Sequence, residues 1–263
     1  QKYKKQVEHI FESPMNLDTF TKIIFMKRRI KSVFVVLFFI SFLSFGQTKN
    51  DSISKRMKLV QPKYLVAGDS IAIIAPAGIL IKRENIINEA KELAESWGLK
   101  VIIGDHVFNQ NNHFSGTDEE RTSDFQNALD NPSIKAIWCA RGGYGSGRIL
   151  DNLVYDKFKR TPKWVVGYSD ITAFHSHIHN LGIQTLHAMM GTSLLFDSEK
   201  TKHSIETLRM ALFGEALTYK INSSKYNKEG VTEGVLVGGN LSILQSMLGS
   251  ESQLNTAGNI LFI

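Results

Sequence analysis

Two stretches decide the fold: Ile134-Lys-Ala-Ile-Trp-Cys-Ala-Arg-Gly-Gly-Tyr-Gly-Ser-Gly147 and Trp164-Val-Val-Gly-Tyr-Ser-Asp170. Each is a short apolar run that stops at a loop of small residues, as a buried strand does at the edge of a sheet. Working outward, Ser70 to Ala75 and Leu99 to Ile103 read as further strands. Helices alternate with them. Arg83 to Trp97 carries Ile86, Ile87, Ala90, Leu93 and Ala94 at helical spacing, and Asp118 to Leu129 follows Thr117 as N-cap. Gly147 to Leu153 begins another helix, and Ile171 to Asn180 forms the next. Strands alternating with helices imply an α/β fold, a parallel sheet covered on both faces. Ligands of such sheets bind beyond the carboxyl ends of the strands. That rule selects the loops Pro76-Ala-Gly78, Arg141 to Gly147 and Gly167 to Asp170.

The composition is that of a globular protein. The 263 residues are 43% hydrophobic and 21% charged, with 20 Gly, 5 Pro and one Cys. Collagen-like, disulfide-rich and disordered chains are excluded. Cys139 lies in an apolar run and reads as a small buried hydrophobe. The formal charge of +6 is uneven: residues 1–46 hold eight basic and three acidic groups, leaving 23 basic and 22 acidic in the rest. A nucleic-acid footprint would place the cations on the folded part, so no nucleic-acid partner is expected.

The cations sit instead in a leader. Met26 opens a segment with Lys27, Arg28, Arg29 and Lys31, an apolar run from Val33 to Leu43, and small residues at Ser44 and Gly46. This is the layout of a secretory signal peptide cleaved near Gly46/Gln47. The expectation is an exported, periplasmic protein with no stable membrane insertion, since the apolar run is short for a span. Residues 1–25 are expected to be an over-extended reading frame and 47–61 a tether. Residues 62–199 form the first domain, 200–229 a polar linker, and 230–263 the start of a smaller second domain.

Ser169 lies between a strand and a helix, where a sharp turn projects a hydroxyl past the sheet and helix N–H groups face a developing oxyanion. The same spacing suits a plain helix cap. Arg141-Gly-Gly-Tyr-Gly-Ser-Gly147 permits close backbone approach to an anion, or is simply a tight turn. It lacks the Lys-Ser/Thr of a P-loop. His175, His177 and His179 lack the Glu and third ligand of a zinc motif, so no metal and no cofactor are expected. His187 is expected to line a pocket rather than to catalyse.

Five segments, taken together, resemble the serine LD-carboxypeptidases of peptidoglycan metabolism, relatives of the microcin-C-resistance amidases. They are Pro62 to Gly78, Phe114 to Arg121, Ala136 to Gly145, Gly167 to Thr172 and Gly238 to Leu241. The resemblance implies a Rossmann-like N-terminal domain followed by the start of an incomplete, smaller C-terminal α/β domain. It implies Ser169 as nucleophile of a Ser-Glu-His triad, and the amides of Asp170 and Gly143 as oxyanion donors. Arg141 and Tyr144 are then substrate-binding, although Arg141 could equally brace its loop. The substrate would be a murein tetrapeptide, cut before its terminal D-Ala, and a homodimer stays open. The family's Glu is expected just past Ile263 and its His many residues later. Glu233, Glu251 and His187 fall in the wrong motifs for those roles. The chain is therefore expected to be C-terminally truncated and nearly inactive by itself. The alternatives are a microcin-C-type amidase and a non-catalytic periplasmic binding protein for peptides or sugars.

Overall fold

The computed structural model describes residues 59–195 and 199–263. The expected reading-frame extension, signal peptide and most of the tether lie outside the described residues. Among the described residues no helix is long and apolar enough to cross a membrane.

Five parallel strands form the main sheet: β1 (Ser70–Ile74), β2 (Lys100–Ile103), β3 (Ile134–Cys139), β4 (Trp164–Gly167) and β5 (Leu186–His187). Their order is β2-β1-β3-β4-β5. The connections are α1 (Glu84–Ser96), α2 (Asp118–Asp130), then the short α3 (Ser146–Ile149) and α4 (Asp156–Arg160), and α5 (Thr172–Asn180). Chain progression reverses between β1 and β3, the place at which ligands of open parallel sheets bind.

Alternation along the strands builds two cores. Ile71, Ile73, Ala136, Trp138, Trp164 and Val166 pack with Ile87, Ala90 and Ala94 of α1. The intervening Ala72, Ile74, Ile137, Cys139 and Val165 pack with Phe125, Leu129, Phe158, Phe174 and Ile178 of α2, α4 and α5. A period of two on strands buried on both sides leaves no polar face, which is why β1, β3 and β4 are apolar apart from Ser70 and Lys135 near their starts. Cys139 is fully buried, as its setting implied. At the start of α2, Thr117 accepts from the Glu120 amide while Glu120 accepts from the Thr117 amide, a complete capping box. At its end the Lys163 ammonium donates to the carbonyls of Ala128 (2.9 Å) and Asn131 (2.7 Å). It thus places a cation on the helix's negative end.

The strands and helices read from the sequence occur within a residue or two of their expected bounds, except that the helix read from Gly147 to Leu153 is α-helical only to Ile149 and continues as a 3-10 turn, Leu150–Asn152. The expected linker differs. Its first half belongs to a 15-residue helix, α6 (Glu199–Phe213), whose Leu208 and Leu212 are buried in the α1-side core. The segment is polar on average because only one narrow stripe is apolar, and the average hid the stripe. Residues 214–235 carry no strand or helix. Beyond them β6 (Leu236–Gly238) pairs in parallel with β7 (Ile260–Phe262), connected through α7 (Leu241–Ser246). The pair forms a separate two-stranded sheet.

The rings of Phe125 and Phe174 lie 4.3 Å apart and are fully buried between α2 and α5. Phe125→Ala is expected to destabilise the fold by about 3–5 kcal/mol, measured by urea denaturation. A loss below 1 kcal/mol would show that this contact is not part of the core.

Candidate active site

The loops after β1, β3 and β4 converge at one sheet edge, and Ser169 stands at their centre. β4 ends at Gly167, and a 3-10 turn, Ser169–Ile171, leads into α5. Ser169 has φ +60°, a conformation that a side chain tolerates poorly. Such residues persist where their surroundings over-determine them, at a cost of about 1–3 kcal/mol. Gly167 is held from the next turn of chain, where its carbonyl accepts from His175 Nε2 (2.9 Å) and from the Ala188 amide (3.0 Å).

The glycine loop lies directly against this turn. A Cβ on Gly142 would stand 3.3 Å from Ser169 Cβ and 3.5 Å from the Asp170 nitrogen. The Gly142 carbonyl accepts from the Gly78 amide at 2.9 Å, tying the β3 loop to the β1 loop. In a trans peptide the N–H points opposite to the C=O. The Gly143 amide is therefore turned away from Gly78. Among the described residues, the amides of Gly143 and Asp170 donate to no acceptor, and no side chain hydrogen-bonds the Ser169 hydroxyl.

Two buried charges brace the loops. Arg121, 1% exposed, donates through Nη1 to the carbonyls of Pro76 and Gly145, and through Nη2 to Asp118. Asp170, 2% exposed, accepts at Oδ2 from the Ser146 amide at 2.8 Å. Burial pushes the Asp170 carboxyl above the ordinary range, although Ser146 and Arg121 oppose the shift. Arg141 is half-buried, and its Nη1 donates to the Ile79 carbonyl, the bracing contact that its sequence position left open. Tyr144 is exposed on the rim, with its ring 5.9 Å from Phe114 and 6.2 Å from His113.

Sequence reasoning missed Gly142, Arg121 and Ser146. Arg121 lay inside a quoted motif, but its partners are 24 and 45 residues away, so spacing carries no sign of them. The three histidines of α5 diverge. Nε2 of His175 meets Gly167, and Nδ1 of His177 meets the Ser252 hydroxyl at 2.8 Å. Among the described residues no group of three or more His, Cys, Asp or Glu is placed to hold a metal. His187 lines a cavity of about 550 Å³ with His175, Trp164, Leu236 and Phe262, between β5 and the small second sheet.

Burial brings the His175 pKa down to about 4 and lowers those of His177, His179 and His187 as well. A folded-state value below the unfolded one contributes stability that is present above pH 6.5 and lost as pH falls toward 4. Denaturation midpoints are expected to drop across that window. Asp170, shifted the other way, opposes the trend. His175→Gln should flatten the drop; an identical pH profile in the variant would remove His175 as its source.

Residues 71–188 match the family model described as the LD-carboxypeptidase N-terminal domain. The chain is 37% identical over 210 residues to the "Probable murein peptide carboxypeptidase" of Bacillus subtilis, covering 77% of this chain and 64% of that protein. It is 31% identical over 202 residues to the murein tetrapeptide carboxypeptidase of Pseudomonas aeruginosa, covering 73% of this chain and 65% of that one. The chain thus spans less than two thirds of either relative. Among solved structures, the microcin C7 self-immunity protein MccF in complex with aspartyl sulfamoyl adenosine superimposes with a TM-score of 0.66 at 25% identity. That match covers 78% of this chain and 70% of MccF.

Proposed function

Because the chain belongs to the LD-carboxypeptidase family, we propose that the protein is a serine peptidase that removes the terminal D-Ala from murein tetrapeptides. The observation that carries the reading is the left-handed Ser169 at the carboxyl end of β4, with Gly142 packed on it and two undonated amides beside it. The names of the Bacillus and Pseudomonas relatives support the substrate class.

In this reading the Ser169 hydroxyl attacks the carbonyl of the bond before D-Ala. Its proton passes to a general base, and the tetrahedral oxyanion is held by the amides of Asp170 and Gly143. The Gly142 carbonyl's bond to the Gly78 amide supports the choice of Gly143, since it helps to orient that N–H before substrate arrives. Such preorganisation needs no reorientation during the reaction. Collapse of the intermediate breaks the C–N bond, and D-Ala leaves with a proton returned by the same base. Water then hydrolyses the acyl-serine. By the family resemblance the base is a histidine oriented by a glutamate, and neither is assigned to His187, Glu233 or Glu251. Tyr144 on the rim and the exposed side of Arg141 complete the proposed substrate contacts. The leader from Met26 gives the proposed destination, export to the periplasm, where murein peptides are reached.

The MccF likeness favours a second reading, an amidase acting on aminoacyl-nucleotide compounds. A substrate panel separates the two. The full-length protein is expected to release D-Ala from murein tetrapeptide and not to cleave aspartyl sulfamoyl adenosine. Ser169→Ala should lower D-Ala release by at least about 1,000-fold. Retained release in that variant would overturn the nucleophile assignment, and cleavage of the nucleotide substrate alone would favour the amidase.

A further inference from the structure

The 145–146 peptide is gripped at both ends by opposite charges. Its carbonyl, on Gly145, accepts from Arg121 Nη1 at 2.9 Å, and its N–H, on Ser146, donates to Asp170 Oδ2 at 2.8 Å. We propose that Asp170 and Arg121 are positioning residues that set the oxyanion hole by locking this one peptide. The proposal rests on the peptidase reading and adds to it the source of the donor geometry.

Among the described residues, the backbone of the Gly142–Gly145 loop is hydrogen-bonded at its two ends, and between them only the Tyr144 side chain makes contact, on the rim. At its start the Gly142 carbonyl meets the Gly78 amide; at its end stands the charged grip. Gly143 and Tyr144 between them are exposed. Glycines give such a loop little intrinsic stiffness, so the orientation of the Gly143 amide depends on how its ends are held. Gly145 must itself be a glycine. It has φ +138°, and a Cβ there would stand 2.8 Å from Arg121 Nη1 and 3.0 Å from the Phe114 ring.

Asp170 joins the two halves of the hole. Its backbone N–H is one proposed donor, and its side chain fixes the loop that bears the other. A buried carboxylate is a costly way to fill space, and burial does raise its pKa. An uncharged side chain of similar size would pack as well. What the carboxylate supplies is a strong acceptor for an amide 24 residues away. Arg121 acts in the same manner on the other side, and its second carbonyl, on Pro76, brings in the β1 loop.

The test uses the full-length protein. It reads kcat and KM for D-Ala release, together with the rate at which a fluorophosphonate modifies Ser169. Removing one oxyanion donor from a hydrolase typically costs about 100- to 1,000-fold in kcat. Misplacing one through Asp170→Ala is expected to lower both kcat and the modification rate by at least about 30-fold, with KM within about 3-fold. Asp170→Asn keeps a carbonyl acceptor for the Ser146 amide and should restore both rates to within about 5-fold of the parent. Equal losses in the two variants, or a loss carried by KM, would overturn the proposal. Should Asp170→Ala not fold, Arg121→Lys tests the other side, since an ammonium does not reproduce the planar fork on two carbonyls. There kcat should fall about 10-fold with KM unchanged, and an unchanged kcat would overturn it. A parent protein that reacts with the fluorophosphonate but releases no D-Ala would sink the substrate reading. The comparison of modification rates would still decide this one.

Discussion

A guanidinium buried to 1% exposure must find acceptors, and Arg121 finds them on two different loops and on its own helix. A charge removed from water without partners would cost several kcal/mol. The chain therefore cannot fold α2 into place without also bringing the carbonyls of Pro76 and Gly145 to it. That requirement couples the helix to the edge of the sheet that carries Ser169. Parallel strands by themselves align the loop ends only to within the freedom of each loop. The arginine removes that freedom for the β1 and β3 loops, and Asp170 removes it for the β4 turn. Lys163, at the far end of α2, fixes the same helix through its last carbonyls.

The strained turn at Ser169 depends on this bracing. A serine at φ +60° would relax if its neighbours could move. Gly167 before it is held by His175 and Ala188, and Asp170 after it is held by Ser146. Gly142 lies across its Cβ. The hydroxyl stays at the edge because every route to a relaxed backbone would break one of these bonds. The contacts that stabilise the fold also hold this turn, so the candidate site is part of the core rather than an ornament on it.

How much of this was legible in the sequence follows from the range of each interaction. Strands such as Ile134–Cys139 and helices such as Asp118–Asp130 declare themselves through local periodicity and caps, and both appear as read. The Ser169 turn was visible as a strand–small-residue–helix pattern, which by itself favours a plain helix cap over a catalytic turn. The family resemblance, not spacing, moved that reading toward catalysis. Helix Glu199–Phe213 was lost in a segment judged by its mean polarity, because its buried stripe rests mainly on Leu208 and Leu212. The two-residue strand Leu186–His187 is too short to show a period at all. Arg121 was invisible for a different reason. A buried arginine and a surface arginine are written with the same letter, and only the three-dimensional position of Gly145 tells them apart.

The Gly238–Leu241 segment shows how the small β6–β7 sheet is joined to the helices of the main sheet. Gly239 approaches α5 so closely that a Cβ there would stand 2.5 Å from Thr172 Oγ1, and the Asn240 amide donates to that same hydroxyl at 2.9 Å. Thr172 is the first residue of the helix that follows Ser169. A displacement of the small β6–β7 sheet would therefore be felt three residues from Ser169, through a buried hydroxyl with no room to adjust. Asn240 at the same time caps α7 by accepting from the Ile243 amide. The motif thus does two things at one place: it caps the helix of the small sheet and seats it on the helix that follows Ser169. A group carried on the small sheet is therefore positioned relative to Ser169, through Thr172, rather than from an independent frame.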